Sequence, residues 1–305
     1  VWKGRLVMTL LQLKYVVEVA KTGNITEAAK RLYLSQPSLT NAIRELEKEM
    51  QITIFCRTNR GVTVTNEGDL FLSYARQVLE QTDLLTEKFT GKGAGSRHFS
   101  VSCQHYSFAV NAFVDVIREY GGKQYDFVLR ETQTHEIIED VSRLKSEIGI
   151  LYTSSKNEEV IMKFIRQSDL LFEELFVAKP HVFLSSRHPL ATKATLSIED
   201  LEDYPYLSFE QGEYNSFYFS EEILSTLDRR KNIKVRDRAT LFNLVIGLDG
   251  YTVSSGVISR KLNGANIIAV PLLVEEYMRI GTIRQKNMPL TQYGESYMKA
   301  LKKYL

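Results

Sequence analysis

Near the start of the chain, Leu13, Val16, Val17 and Ala20 fall on one helical stripe that ends at Thr22-Gly23, which predicts a first helix with a C-terminal stop. Asn24 followed by Glu27 is a capping-box-like start for a second helix, whose apolar face is Ile25, Ala28, Ala29 and Leu32. After the turn Tyr33 to Ser35, Leu39, Ile43, Leu46 and Met50 form the buried stripe of a third helix. Ser35 is its natural N-cap, and Pro37 falls early, where a missing N–H costs least. Pro37, Asn41, Arg44 and Lys48 run along the opposite face, with Ser38 beside them. "ITIFCRTNRGVTVT" then alternates about the turn Asn59-Arg60-Gly61 and reads as a two-stranded hairpin, with Cys56 as a small buried residue in it.

Over residues 67–90, Phe71, Ala75, Val78, Thr82, Leu85 and Phe89 recur at coiled-coil spacing, so a long helix with a dimerisation seam is predicted. "TGKGAGSR" breaks it and marks a boundary or hinge. From His98 onward the pattern changes. Short β-rich runs, "HFSVSCQ", "YDFVLRE" and "EIGILYT", alternate with the helical stretches "FAVNAFVDVIREY" and "THEIIEDVSRL". Further strands are predicted at "HVFLSS", "YPYLSFE", "NIKVRD" and "YTVSSGVIS", and further helices at "EEILSTLDRR" and "ATLFNLVIGL". Such alternation implies layered α/β structure, here in two small lobes. The strand "EYMRIGTIRQ" and the helix "YGESYMKALKKYL" are expected to return to the first lobe.

Composition narrows the function classes. The chain has 305 residues, 44% of them hydrophobic and 25% charged, as in ordinary globular proteins of two or three domains. A net charge of +2 means that any nucleic-acid surface is local. Two cysteines suit a reducing compartment and exclude a disulfide scaffold. No apolar run has the length of a membrane span, and "VWKGRLV" is not a signal peptide, so a cytoplasmic location and no membrane partner are expected. Met8 reads as the natural start, with residues 1–7 upstream of it.

Two short helices joined by a tight turn and followed by a basic hairpin make a winged helix-turn-helix pattern. The third helix suits a major groove. Gln36 and Asn41 can address base edges, Ser35, Ser38 and Thr40 can bond phosphates or bases, and Arg44 and Lys48 lie further along. Arg57 and Arg60 on the hairpin suit phosphate contact.

These residues carry a family resemblance. "NITEAAKRLYLSQPSLTNAIRELEKEM" followed by "IFCRTNRGVTVTNEG" resembles the DNA-binding domain of LysR-type transcriptional regulators. Ala28-Ala29-Leu32, Ser35-Gln36-Pro37-Ser38, Leu46-Glu47, Phe55, Arg57, Thr65 and Gly68 fit the family pattern; Asn24, Ile54, Val64 and Glu67 depart from it mildly. The resemblance implies a winged helix-turn-helix domain over 8–66, a dimerising linker helix over 67–90 and a periplasmic-binding-protein-like effector domain over 91–305. Within the last, the first lobe is expected at about 97–168 and 272–305 and the second at about 169–271. The implied partners are double-stranded promoter DNA, a small-molecule effector, a second copy in a homodimer or homotetramer, and RNA polymerase. No cofactor is implied. "YPYLSFEQGEYNSFYFSEEILST" is similar to effector domains that regulate sulfur-amino-acid genes.

In open α/β sheets ligands sit beyond the carboxyl ends of strands. That rule gathers Ser102, Cys103, Gln104, His105 and Tyr106, then Thr132, Gln133 and Thr134, from the first lobe. The second lobe offers Ser208, Glu210, Gln211 and Ser216, with Arg238 and Thr240. Their mixed polarity suits a small polar metabolite such as an amino-acid-like carboxylate. Catalysis by Cys103 and His105 is disfavoured, since positions two apart rarely face each other and no third partner is visible. Five scattered histidines give no metal spacing, and no phosphate-binding glycine loop occurs. Two other classes remain open: a cytosolic solute-binding or transferase-like α/β protein with an N-terminal assembly module, and an architectural DNA binder without a ligand.

Overall fold

Helix α1 (Leu10–Thr22) opens with a reciprocal cap, in which Gln12 N donates to Thr9 Oγ1 at 3.2 Å and Thr9 N donates to Gln12 Oε1 at 2.9 Å. It is the first element of a computed structural model that describes residues 8–58, 61–90, 98–122, 125–214, 216–259, 262 and 264–305. The chain divides into two compact units, Val1–Ser96 and Arg97–Leu305.

In the N-terminal unit α1 ends at Gly23, whose φ of 64° is the left-handed turn that glycine adopts without strain. Asn24 Oδ1 accepts from Thr26 N and Glu27 N to start α2 (Ile25–Arg31), and Ser35 Oγ accepts from Ser38 N to start α3 (Gln36–Met50). Val16 and Val19 of α1, Ala28 and Ala29 of α2, and Leu39, Ile43 and Leu46 of α3 bury one another, with Ile54 and Leu72 closing the core. Strands β1 (Phe55–Thr58) and β2 (Gly61–Val64) pair antiparallel as the wing. Glu47 ties it to α3 by accepting from Ile54 N at 2.7 Å and Phe55 N at 3.1 Å. Helix α4 (Asn66–Thr90) leaves the wing at Gly68, where a Cβ would lie 2.2 Å from the Ile54 carbonyl oxygen. Cys56 is exposed, so the small buried role expected for it fails; a hairpin turns alternate side chains outward and Cys56 is on the outer side.

The C-terminal unit holds two five-stranded sheets. The first has the order β4-β3-β5-β12-β6, from β3 (His98–Cys103), β4 (Asp126–Glu131), β5 (Ile148–Thr153), β6 (Leu170–Ala178) and β12 (Met278–Gln285). Helices α5 (Ser107–Tyr120), α6 (Thr134–Ser142) and α7 (Glu158–Gln167) follow its strands. The second sheet has the order β11-β7-β10-β8-β9, from β7 (His181–Ser185), β8 (Tyr206–Phe209), β9 (Asn232–Val235), β10 (Tyr251–Ser254) and β11 (Ile267–Pro271). Helix α8 (Arg238–Gly247) packs on it, and α9 (Gln292–Leu301) returns to α5, where Tyr297 OH donates to the Ala109 carbonyl at 3.0 Å. The chain thus passes between the sheets twice, after β6 and after β11. One apolar cluster continues across these crossings, from Phe99 and Phe108 to Val182, Leu184 and Tyr251.

Two expectations need correction. Strand β6 belongs to the first sheet, where it pairs antiparallel with β12 along its length, so residues 170–178 lie outside the second lobe expected at 169–271. The segment 221–230 is not a helix: Leu224 has a φ of 62°, which ends a right-handed helix, and Arg229 Nη1 donates to its freed carbonyl at 2.9 Å.

Candidate nucleic-acid and effector sites

The burial of α3 separates its two faces. Ser35, Gln36, Pro37, Ser38, Asn41, Arg44 and Lys48 are exposed, while Leu39, Ile43 and Leu46 are buried. Thr40 is the exception among the expected DNA contacts. It is 8% exposed and beside Leu39, and its Oγ1 accepts from Gln36 Nε2 at 2.8 Å. It therefore orients Gln36 and does not itself face a groove. Ser35 Oγ and Ser38 Oγ lie 2.7 Å apart at the exposed helix start. Arg60 and the Arg57 side chain lie outside the described residues. Tyr33, which the sequence does not mark as a contact, stands 96% exposed in the turn before α3, with a φ of 55°.

Helix α4 has two sides. Leu72 and Ala75 are buried in the unit's own core, so Ala75 is not a free seam position as expected. Val78 at 42% and Leu85 at 60% exposure, with Leu70 and Tyr74, form a solvent-facing apolar row. Phe71 packs at the edge of the core, Thr82 Oγ1 donates to the Val78 carbonyl, and the Phe89 side chain lies outside the described residues.

In the C-terminal unit several expected cleft residues turn out to be structural. Ser102 is fully buried and donates to Asp140 Oδ2 at 2.6 Å. Cys103 is fully buried in the apolar cluster, and burial first, then the Glu131 carboxylate, pushes its thiol pKa well up. A protonated, enclosed thiol is no nucleophile. Gln104 is spent internally: its Nε2 donates to Thr134 Oγ1 at 2.6 Å, and its Oε1 accepts from Tyr106 OH and Tyr152 N. Glu210 pairs with Arg236, Thr132 bonds Glu136, and Thr240 is an exposed first-turn residue of α8 whose N–H donates to Asp237. Ser208 is buried within β8.

What the structure does bring together is the seam between lobes. Gln211 Oε1 accepts from Thr134 N, at the start of α6, at 3.1 Å. The Gln133 side chain lies against Gly212, and His135 stacks on Tyr214 with ring centroids 3.5 Å apart. His105 stacks on Phe209 at 3.7 Å, and its Nδ1 lies 2.8 Å from Glu221 Oε2. Burial pulls the His105 pKa down, but the Glu221 charge and hydrogen bond outweigh it and the net shift is upward. Arg238 Nη2 meets Glu131 Oε1 at 2.9 Å.

Of these groups His105, Phe209, Glu221 and Arg238 line a cavity of about 30 Å³, together with Tyr106 and Glu222. It holds a water or two at most. Glu222 Oε1 accepts from Phe209 N at 2.8 Å, whereas Oε2 is buried without a hydrogen-bond partner. Burial, then Glu221, pushes the Glu222 pKa up to about 8. Sequence reading missed Glu131, Glu221 and Glu222, the last two because an acidic pair reads as a wet helix start. Among the described residues no group of three or more His, Cys, Asp or Glu could hold a metal ion, and no helix is long and apolar enough to cross a membrane.

Comparison with known proteins accounts for both units. Residues 10–69 match the bacterial regulatory helix-turn-helix protein family model of the lysR family, and residues 96–305 match the LysR substrate binding domain. The regulator AlsR of Bacillus subtilis (strain 168) is 28% identical over 253 residues, covering 82% of this chain and 78% of AlsR. A hydrogen peroxide-inducible genes activator of Escherichia coli O6:H1 is 24% identical over 308 residues, covering 97% and 95% of the two chains. A full-length OxyR variant from Pseudomonas aeruginosa shares the fold with a TM-score of 0.70 at 20% identity, covering 97% of this chain and 95% of that one. With both units matched in order, this chain belongs to the LysR family of transcriptional regulators.

Proposed function

We propose that the exposed face of α3 reads promoter DNA and that a small polar metabolite, bound where the two lobes meet, sets the transcriptional output. The observation that carries the first half is the exposure of Gln36, Ser38, Asn41, Arg44 and Lys48 opposite a fully packed Leu39–Ile43–Leu46 stripe. Such a helix can enter a major groove by its N-terminal end, with Gln36 held by Thr40 and Arg44 able to address a guanine. The row Leu70, Tyr74, Val78 and Leu85 supports assembly through α4 into a homodimer or homotetramer, which sets two reading heads on a dyad. RNA polymerase is a further partner of such a regulator, and the cytoplasm is where it would act.

Cross-lobe contacts at Gln211, His105 and Gln133 support the second half, because a ligand that replaces them distinguishes closed from open lobes. Peroxide is a poor candidate signal in spite of the peroxide-inducible relative. The only cysteines are Cys56 and Cys103, and Cys103 is held buried and protonated. Control of cysteine and methionine genes is a finer reading that rests on the resemblance of the segment around Tyr206 to Phe219. Capture of sheared genomic DNA by the full chain, followed by sequencing, tests both levels. The proposal expects a few dyad-symmetric sites beside metabolic genes; retention of all fragments alike would contradict it.

A further inference from the structure

We propose that residues 211–221 are a latch: a strap of the second lobe that fastens into the first, holds the cleft shut in the unliganded chain and opens it by letting go as a unit. The claim concerns the chain without ligand, so it stands or falls apart from where the effector binds.

Between β8 and β9 the sequence puts Tyr214, Phe217, Tyr218 and Phe219 within six residues, at a spacing that suits neither one face of a strand nor one face of a helix. The described residues there form two single 3-10 turns, Gly212–Tyr214 and Phe217–Phe219, and none of them joins a sheet. Cover comes from the other lobe. Phe219 is only 5% exposed, seated among Ile137 and Val141 of α6 and Ile161 and Ile165 of α7, with its ring centroid 5.4 Å from that of Phe164. Tyr214 stacks on His135, and Asn157 Nδ2 donates to the Tyr218 carbonyl at 3.3 Å. At the two ends, Gln211 Oε1 accepts from Thr134 N at 3.1 Å and Glu221 Oε2 accepts from His105 N at 3.2 Å.

This arrangement gives the lobes two kinds of connection. The chain crossings after β6 and β11 are covalent and sheathed in continuous apolar packing, so they can serve only as a hinge. The strap is held by side-chain contacts alone, and its Tyr214 and Phe217 rings are 47% and 44% exposed. Few buried contacts and a wet outer side place a segment at the low end of local stability, from which moving parts are drawn. The closed cavity of about 30 Å³ admits only water, so any metabolite entering there requires the lobes to part. Parting them withdraws Phe219 from the seat between α6 and α7.

Hydrogen exchange on the full, unliganded chain reads the latch at the Thr134 and His105 amides, whose acceptors belong to the strap. Cys103 reads the cleft. It is fully buried, yet close enough to Glu131, Arg238 and Glu221 for their charges to act on its thiol, and exposed Cys56 serves as the internal standard for labelling. In the wild type both amides should exchange together and faster than those of β3 and β5. Phe219→Ala should speed both amides and the labelling of Cys103 by about ten- to hundredfold, the weight of one buried phenylalanine, with β5 and β10 unchanged. Tyr214→Ala should act in the same direction by a smaller factor, and it decides on the same readings if Phe219→Ala melts the domain. Amides that exchange only with global unfolding overturn the latch. So does faster strap exchange with Cys103 as slow as in the wild type, or equal loosening of every strand by Phe219→Ala.

Discussion

Gln211 of the second lobe caps a helix of the first, its Oε1 accepting from Thr134 N at 3.1 Å while its Nε2 donates to Glu221 at 3.3 Å. Helix α6 has no side-chain cap from its own N-cap residue, Gln133, so the other lobe supplies it. Gln211→Ala should therefore cost about 0.5–2 kcal/mol, the range of a lost N-cap. Denaturant unfolding measures the loss, and hydrogen exchange should speed up at the start of α6.

The pH dependence follows from the two shifted groups in the cleft. Glu222 has its folded pKa raised from 4.5 to about 8, so the unfolded chain ionises first and folding becomes less favourable as pH rises between those values. His105, with its pKa raised from 6.5, contributes stability that is full below 6.5 and lost as pH rises through its folded value. Both make the effector domain weaker toward alkaline pH. Glu222→Gln removes the first effect, and its melting temperature should exceed the wild type by a margin that widens from about pH 5 to about pH 8.

Substitutions on α4 separate self-packing from assembly. Ala75→Asp should unfold the N-terminal unit, because it puts a charge into a closed core. Val78→Asp or Leu85→Asp should leave the unit folded by circular dichroism and reduce the sedimentation coefficient. Full association in both exposed-site variants would remove α4 from the assembly.

Gly68 is a steric requirement of the wing. Its absent Cβ would meet the Ile54 carbonyl at 2.2 Å, backbone that cannot yield as a side-chain tip would. Gly68→Ala should cost about 1–3 kcal/mol in unfolding measurements.

How much of this was legible in the sequence varies by element. The stripe Leu39, Ile43, Leu46 and the cap Ser35 are local signals, and α3 formed as its period predicted. The segment 221–230 carried an equally helical pattern, yet Leu224 adopts a φ of 62° and Glu221 and Glu222 turn inward under the cleft. Those choices are tertiary. Strand β6 was missed because an edge strand with exposed Glu173 and Glu174 shows no clean alternation. In the cleft, reading strand ends located the right neighbourhood, but Ser102 and Cys103 point into packed interior while Glu222, invisible as a site, faces the cavity.

The central claim, that the outer face of α3 reads DNA, is tested most directly by one titration. The affinity of wild type and Arg44→Ala for a captured operator and for a scrambled duplex would be measured over a range of salt concentrations. Arg44 is exposed on α3, so the variant should keep its melting temperature. It should lose about 1–3 kcal/mol on the operator, and distinctly less on the scrambled duplex. Equal affinity of both proteins for the operator, or an equal loss on both duplexes, would contradict base readout by this helix.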